Sequence, residues 1–356
     1  MGTGPLDRDD LRQRVDKSLA EFLSGQAGRL DAVSVSLGPV QDALADFLLT
    51  GGKRMRPAFC YWGFRGAGGT DSDQAITAAA CLELLQACAL IHDDVMDGSD
   101  TRRGRPAMHR RFAALHRGED WHGDPEGFGL SAAVLLGDLC LIWADEMLNT
   151  SGMPVDALLR AQPVYDEMRV ELMAGQYLDL LEQALGGGTV ESALRVARYK
   201  SAKYTIEKPL HLGAVLAGAH QDVLDGYSGY GLPLGEAFQL RDDVLGVFGD
   251  PSQTGKPAGD DLREGKRTAL VAMALAQASK AQSAVVRRHL GDPRLDTAGV
   301  DELRAIICET GALAKVEALI GELMDDALTA LRAAPVQDEA RGVLEELALA
   351  ATSRTV

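Results

Sequence analysis

Apolar residues recur every three or four positions along most of the chain, which is the spacing of one face of an α-helix. The runs that predict helices cover residues 74–97, 132–148, 155–185, 190–219, 229–247, 269–281, 299–309 and 313–333. A further helical region near the N-terminus contains Leu19, Phe22 and Leu30. No strand-like alternation of useful length interrupts this pattern. The pattern therefore predicts an all-α fold.

Glycine-rich segments separate these runs and predict the connections. Loops are expected at 66–71 and 117–129, and a turn at 186–189. Thr189 at the end of that turn can cap the next helix. The segment 249–266 combines charge with glycine, which is typical of a loop that carries function. One domain spanning residues 1–356 is the simplest organisation.

The composition agrees with a helical protein and excludes one class of partner. Aromatic residues make up 5% of the chain, while the helix-favouring residues Ala and Leu are frequent. The formal net charge of -16 repels a phosphate backbone, so we expect no nucleic-acid partner. The five cysteines form no CxxC pair, which predicts buried free thiols in a reducing compartment and no disulfide or zinc site.

We also expect neither an export signal nor a membrane span. The first residues lack a basic segment followed by an apolar stretch. The most apolar segment, from Leu130 to Leu148, is interrupted by Asp138, Asp145 and Glu146, which predicts a buried helix. A cytoplasmic location is the resulting expectation.

Two acidic clusters, far apart in the chain, each lie at the end of an apolar helical run. The first contains Asp93, Asp94 and Asp97, and the second contains Asp242 and Asp243. Residues four apart share a helix face, so Asp93 and Asp97 can bind one ion while Asp94 points aside. A single cluster could be a solvated helix end. Two matching clusters favour a site for hard divalent cations, and so for a diphosphate.

Basic segments accompany these acids. Residues 51–57 combine two glycines with Lys53, Arg54 and Arg56, and residues 102–106 contain three arginines. Guanidinium forks suit phosphate oxygens, and lysine supplies a compact positive charge. Either segment alone would be a surface patch. Beside a metal-binding cluster, both favour diphosphate binding.

The motifs together resemble those of one family, the trans-isoprenyl diphosphate synthases, and within it the short-chain actinobacterial enzymes. They are GGKRMRP at 51–57, Gln86, DDVMD at 93–97, RRGRP at 102–106, GQ at 175–176, KSAKYT at 200–205, FQLRDD at 238–243 and TGKPAGDD…GKRT at 254–268. Their order and spacing match the family over about residues 45–275.

The resemblance implies a single helical bundle of the isoprenoid synthase type with a central cavity. It also implies a magnesium-dependent, head-to-tail condensation of isopentenyl diphosphate with an allylic diphosphate, which could be dimethylallyl, geranyl or farnesyl diphosphate. A cluster of about three magnesium ions in each active site and a homodimer are implied as well.

The resemblance assigns roles position by position. Asp93, Asp97 and Asp242 would bind magnesium, with Asp94 and Asp243 in support. Isopentenyl diphosphate would be bound by Lys53, Arg56, Gln86 and Arg103. The allylic diphosphate would be bound by Arg102, Lys200, Lys256 and Lys266. Of these groups, Lys200 and Lys256 would also take part in catalysis, together with Ser201 and Gln239, whose oxygens would lie near the developing carbocation.

Two features of the motifs bear on details of the reaction. The second acidic motif ends in Gly246 where the family pattern has aspartate, which leaves one metal position open; Asp250 is a candidate replacement. One turn before the first acids lie Ala89 and Cys88, with Leu85 deeper. In the family, bulky side chains at the first two positions stop the product at fifteen carbons, so small ones favour geranylgeranyl diphosphate.

Several alternatives remain open at this stage. The product could be farnesyl diphosphate or a slightly longer chain. A class I terpene cyclase would also be all-α and magnesium-dependent, but it needs no second basic pocket. An inactive regulatory subunit of a heteromeric synthase would have the same fold and is expected to lack some of the acids or lysines.

Overall fold

The computed structural model describes residues 8–249 and 259–352, and this part is almost entirely helical. The helices of the first half are α1 (Leu11–Val33), α2 (Gly38–Leu49), α3 (Met55–Gly66), α4 (Asp73–Met96), α5 (Met108–Gly118), α6 (Pro125–Asn149) and α7 (Val155–Leu185). Those of the second half are α8 (Val190–Val196), α9 (Lys208–Leu216), α10 (Gln221–Phe248), α11 (Asp260–Glu264), α12 (Ala269–Gln277), α13 (Lys280–His289), α14 (Thr297–Glu309), α15 (Ala312–Ala333) and α16 (Asp338–Thr352). The all-α prediction is confirmed.

Elements of three other kinds complete the described part. A π-helix, Ala197–Glu207, joins α8 to α9 without a break. Short 3-10 turns cover Arg8–Asp10 and Val35–Leu37. A two-residue strand β1 (Thr101–Arg102) pairs antiparallel with β2 (Arg105–Pro106). Strands this short leave no alternation to detect, so the sequence pattern missed them.

Helix ends differ from the predicted ones where a capping residue intervenes. Ser279 accepts a hydrogen bond from the backbone of Gln282 at 3.3 Å and starts a new helix, which divides the run predicted at 269–281. Asp124 caps α6 and Pro125 begins it, so the predicted loop 117–129 is much shorter. Thr189 caps α8 as expected.

Helix α4 is the central helix of the bundle. Every residue from 78 to 85 is buried, so α4 contacts neighbours on all sides. Small residues allow close packing around it. A Cβ on Gly137 of α6, for example, would lie 2.1 Å from the ring of His92. Because α4 ends at Met96, its buried length leads directly to the first acidic cluster.

The relative direction of the helices brings both acidic clusters to one end of the bundle. Gln176 of α7 lies beside Asp93 of α4, with Nε2 and Oδ1 3.1 Å apart, while the following π-helix runs back down, with Lys200 against Asp179. Helix α10 then returns, and a Cβ on its Gly235 would lie 2.6 Å from the π-helix backbone. The C-terminal parts of α4, α7 and α10 therefore surround one cavity.

Two helices, α4 and α6, are long and apolar enough to cross a membrane by length and composition alone. The apolar window of α4 is 72% buried in the bundle, and that of α6 is 44% buried. All five cysteines are free, and all but Cys308 are buried. The prediction of free thiols is confirmed. The prediction that they are buried holds for all of them except Cys308.

Candidate active site

A cavity of about 710 Å³ opens between α4, α7, the π-helix and α10. Predicted site residues from six separate motifs line it. They are Lys53, Arg56, Gln86, Ala89, Asp93, Arg102, Lys200, Ser201, Gln239, Asp242, Asp243 and Lys266. Four others lie close behind this wall: Asp94, Asp97, Arg103 and Cys88. Lys256 and Asp250 lie outside the described residues.

Asp93 lies at the centre of the first acidic cluster. Its carboxylate accepts hydrogen bonds from Lys200 Nζ and Gln176 Nε2, each at 3.1 Å. Burial alone would raise the pKa of Asp93, but the charges of Lys200, Lys266 and Arg102 outweigh it and lower that pKa. Asp93 is therefore held as a carboxylate facing the cavity.

Asp94 and Asp97 have different environments from Asp93. Asp94 turns away from the shared face, as predicted, and it is fully buried against Arg102, whose Nε lies 2.8 Å from its Oδ1. Asp97 is partly buried, and its two carboxylate oxygens are buried, yet neither oxygen accepts a hydrogen bond from a described residue. Burial and the charge of Asp93 raise the pKa of Asp97 to about 6. A buried carboxylate without a donor fits a cation-binding position.

The second cluster, on α10, is completed by a residue from α11. A Cβ on Gly246 would lie only 1.8 Å from Oδ2 of Asp261. The carboxylate of Asp261 therefore occupies the space that a side chain at 246 would need. Gln239 Nε2 donates to Asp243 at 2.8 Å, and burial, which is the largest influence, raises the pKa of Asp243 to about 8.

Lys266 connects the two clusters. Its Nζ lies 2.7 Å from Glu264, 3.5 Å from Asp97 and 3.6 Å from Asp261. Burial lowers the pKa of Lys266, but the charges of Asp261, Glu264 and Asp97 more than offset that effect, so the amine stays protonated. The ammonium group thus stands between the acid of α4 and that of α11.

The π-helix presents three residues of one motif to the cavity. Lys200, Ser201 and Tyr204 all line it. Lys200 is anchored to Asp179 at 2.7 Å as well as to Asp93. Gly175 allows α7 to approach the π-helix closely, because a Cβ at this position would lie 2.4 Å from the backbone nitrogen of Lys200.

Lys53, Arg56 and Gln86 line one side of the same cavity, and we call this side the second basic pocket. Arg56 Nη2 donates to Thr205 Oγ1 at 2.8 Å, and its guanidinium carbon lies 4.4 Å from the centre of the Tyr204 ring. The Tyr204 hydroxyl donates to Gln86 Oε1 at 2.9 Å. Arg103, predicted for this pocket, lies behind it with its guanidinium over the ring of Phe47.

Of the three residues expected to control product length, only one lines the cavity. Ala89 lines the cavity one turn below Asp93, whereas Cys88 and Leu85 are fully buried among the helices and do not line it. The Cys88 thiol lies 3.8 Å from Nδ1 of His92, on the α6 side. Leu172 of α7 lines the cavity instead. Periodicity alone could not tell which neighbour of Ala89 faces the cavity.

Sequence reasoning left several cavity residues without a role. Gln176 and Tyr204 lie within quoted motifs, and so does Asp261, so a signal for them was present. Asp179 and Glu264 had no such signal, because their importance follows only from their contacts with Lys200 and Lys266.

Comparison with known proteins agrees with this geometry. Residues 39–307 match the model of the family described as Polyprenyl synthetase. The chain belongs to the polyprenyl synthetase family. It is 33% identical over 331 residues to a geranylfarnesyl diphosphate synthase of Aeropyrum pernix, covering 91% of this chain and 93% of that protein. It is 34% identical over 256 residues to a (2E,6E)-farnesyl diphosphate synthase of Mycobacterium tuberculosis, covering 72% and 66%.

A solved structure shows the same fold. The geranylgeranyl pyrophosphate synthase from Corynebacterium glutamicum, complexed with isoprenyl diphosphate and magnesium, superimposes with a TM-score of 0.94 at 42% identity, covering 98% of this chain and 99% of that one. The predicted isoprenoid synthase fold is confirmed. The protein is a prenyltransferase, a trans-prenyl diphosphate synthase.

The acidic residues fit the magnesium on which this family depends. Within residues 8–249 and 259–352, no three His, Cys, Asp or Glu side chains converge to form a closed metal cage. Magnesium keeps several waters and is bound by one or two carboxylates together with substrate phosphates. Asp93, Asp97 and Asp242 are carboxylates near the cavity, so their chemistry suits such an open site. The buried oxygens of Asp97, which accept no hydrogen bond from the described residues, support the fit.

Proposed function

We propose that the protein condenses isopentenyl diphosphate with allylic diphosphates and releases geranylgeranyl diphosphate. One observation carries the chain length: Ala89, which lies one turn below Asp93, lines the cavity. Its methyl group leaves room for the growing chain beneath the first acidic cluster. The related proteins named above are a farnesyl, a geranylgeranyl and a geranylfarnesyl diphosphate synthase, so the product of this chain is decided by measurement.

Different side chains act on the two diphosphate substrates. Lys200 and Lys266 neutralise the charge that develops as the allylic diphosphate departs, and bound magnesium adds further electrostatic stabilisation of that group. Ser201 and Gln239 orient their oxygens toward the carbocation that remains. Lys53, Arg56, Gln86 and Arg103 hold isopentenyl diphosphate in the second basic pocket. The role of Lys256, which lies outside the described residues, follows from its motif.

The full metal complement is part of this proposal. About three magnesium ions would be held by Asp93, Asp97 and Asp242, with Asp94 and Asp243 in support. Asp261 would take the place of the aspartate that Gly246 lacks. The support is steric, because the two side chains cannot occupy the same space. Asp250, the other candidate, lies outside the described residues.

We further propose a homodimer in the cytoplasm, formed through α6 and α7. Large apolar side chains on these helices remain exposed, including Leu135 at 63%, Ile142 at 60%, Leu159 at 70% and Val170 at 68%. Positions 135 and 142 lie seven residues apart and so share one face of α6. A second copy of the chain is the occupant that this face fits, since a contiguous apolar patch of this kind marks an interface. No membrane span is then needed for α6.

The test is incubation of purified protein with magnesium, isopentenyl diphosphate and each of the three primers, followed by analysis of product length. A twenty-carbon product is expected. A fifteen-carbon or twenty-five-carbon limit would replace the proposed product, and no condensation with any primer would favour the inactive-subunit alternative. Light scattering of the eluted protein tests the dimer separately, and a monomer with full activity would overturn it.

A further inference from the structure

The loop between α2 and α3 has an unusual backbone. Gly51, Gly52 and Arg54 have φ angles of 79°, 90° and 55°, all in the left-handed region. Glycine adopts this conformation freely, but a residue with a Cβ adopts it only where surrounding contacts hold it. Arg54 follows Lys53 in this loop and precedes Arg56 in the first turn of α3, and both of these cations line the cavity. The contacts that hold Arg54 therefore also determine where those cations lie.

Three helices hold the Arg54 side chain. It is only 3% exposed, and its guanidinium donates to Glu83 Oε2 at 2.6 Å, to Asp16 Oδ1 at 2.7 Å and to the carbonyl of Leu48 at 2.6 Å. These partners belong to α4, α1 and α2. Arg12 of α1 adds a bond to the carbonyl of Gly52 at 3.1 Å. Each side-chain nitrogen of Arg54 thus has a partner fixed by a different helix.

Glu83 supplies the negative charge at the base of the second basic pocket. It is buried and lies three residues before Gln86, on the same side of α4. Besides its ion pair with Arg54, its charge attracts Arg103, and this attraction opposes the burial and the neighbouring arginines that lower the pKa of Arg103. Glu83 does not line the cavity, so it reaches the substrate only through other residues.

We infer that Arg54 and Glu83 are positioning residues for the second diphosphate. Arg54 fixes the loop that presents Lys53 and the start of α3 that presents Arg56, and Glu83 offsets the mutual repulsion of Arg54 and Arg103. The cations are thereby gathered before the substrate arrives, so less reorganisation is needed on binding. This inference rests on the proposed function, because it takes the pocket to be that of isopentenyl diphosphate.

The effect should be confined to one substrate. On the allylic side, Lys200 is anchored by Asp179 and Lys266 by Glu264, which are separate ion pairs on other elements. A general loss of packing would instead change the binding of both substrates or lower stability alone. The ratio of the two KM values therefore distinguishes a positioning role from a structural one.

The experiment replaces Glu83 by glutamine, which keeps the shape and a hydrogen-bond acceptor but removes the charge. We expect KM for isopentenyl diphosphate to rise about tenfold, while KM for the allylic diphosphate changes less than about twofold. Arg54→Lys should show the same selectivity, because an ammonium group cannot reach three partners in a fork geometry. Equal rises in both KM values, or no change in either, would overturn the inference.

Asp71→Asn is the matched control. Asp71 also pairs with an arginine of α1, Arg14 at 3.0 Å, but it lies beyond the other end of α3, far along the chain from Lys53. The same chemical change there should lower the melting temperature and leave both KM values unaltered. If Asp71→Asn also raised KM for isopentenyl diphosphate selectively, the effect of Glu83→Gln would be a general consequence of loosening α1.

Calorimetric binding of isopentenyl diphosphate separates this inference from the proposed function. If the unmodified protein binds it but condenses nothing, the proposed function fails. Weaker binding by the folded Glu83→Gln and Arg54→Lys variants would still uphold the positioning role. Unchanged binding by both variants would reject that role whatever the activity of the unmodified protein.

Discussion

The acidic ends of α4 and α10 contain the same dipeptide, Asp-Asp, yet the two ends are built differently. On α4 the acids Asp93 and Asp97 come from one helix, one turn apart. On α10 the position one turn on is Gly246, and the nearest carboxylate there belongs to Asp261 of another helix. The first cluster is thus assembled by helix periodicity and the second by tertiary packing. The second should accordingly tolerate rearrangement better than the first.

The comparison is tested most strongly by Asp93→Ala. We expect turnover to fall roughly 10³-fold, because the variant loses a cavity-facing carboxylate that pairs with Lys200, and no neighbouring acid can take its place. Circular dichroism should show an intact fold. Asp94→Asn is the contrasting variant: Asp94 is buried against Arg102, so its main loss should be in thermal stability. Near-normal turnover by Asp93→Ala would refute a metal role for this residue.

The α10 cluster is tested by moving its carboxylate. Asp261→Ala should lower turnover roughly 10-fold to 100-fold and raise the magnesium concentration needed for half-maximal activity. Adding Gly246→Asp to Asp261→Ala restores an acid to the same space and should recover part of the loss. Gly246→Asp alone should be destabilising, because the new side chain meets Asp261.

A measurement without turnover complements this test. Magnesium should raise the melting temperature of the protein bound to inorganic diphosphate, and Asp261→Ala should reduce that increase. If the increase in melting temperature is the same with and without the Asp261 carboxylate, Asp261 is not part of the metal site. Its position beside Gly246 then affects only packing.

The α4 end has a second role that the α10 end lacks, since Ala89 forms the cavity wall below it. Ala89→Phe should shorten the main product to about fifteen carbons while changing turnover only a few-fold, because the ring would fill the path of the chain. Chromatography of the dephosphorylated products checks this. Cys88→Phe is the matched variant: Cys88 is buried outside the cavity, so overpacking should lower stability and leave product length unchanged. If Cys88→Phe shortened the product and Ala89→Phe did not, the residues that limit product length would lie on the α6 side of α4.

The smallest effect is expected from the acid just before α4. Partial burial would raise the pKa of Asp71, but hydrogen bonds from Arg14 and Tyr61 outweigh it, so the folded state lowers that pKa. The stabilisation is therefore present above the unfolded-state pKa and disappears as pH falls through the lower folded-state value. Asp71→Asn should melt about 1–3 °C lower than the unmodified protein at pH 7. Thermal scans should show that difference vanish in acid; a constant difference would mean that packing, and not charge, is lost.

Much of the fold and of the cavity was predictable because it depends on local order. Apolar periodicity located most of the long helices, including both bounds of α7, and the motifs named eleven of the predicted residues that line one cavity. The predicted runs did not include α2, α3, α5 or α16, and some helix ends moved, as where Asp124 caps α6 and Ser279 starts α13. The resemblance of the motifs to a known family supplied the reaction, which single residues could not specify.

The amino-acid sequence by itself determined that this protein is helical, that its acids lie at helix ends and which basic segments accompany them. Only the tertiary structure decided that Asp261 occupies the space beside Gly246, that Ala89 and not Cys88 faces the cavity, and that Arg54 is held by Glu83. The reason is physical. Periodicity reports which side chains share a helix face, whereas these three facts depend on how helices distant in sequence are rotated and packed against one another.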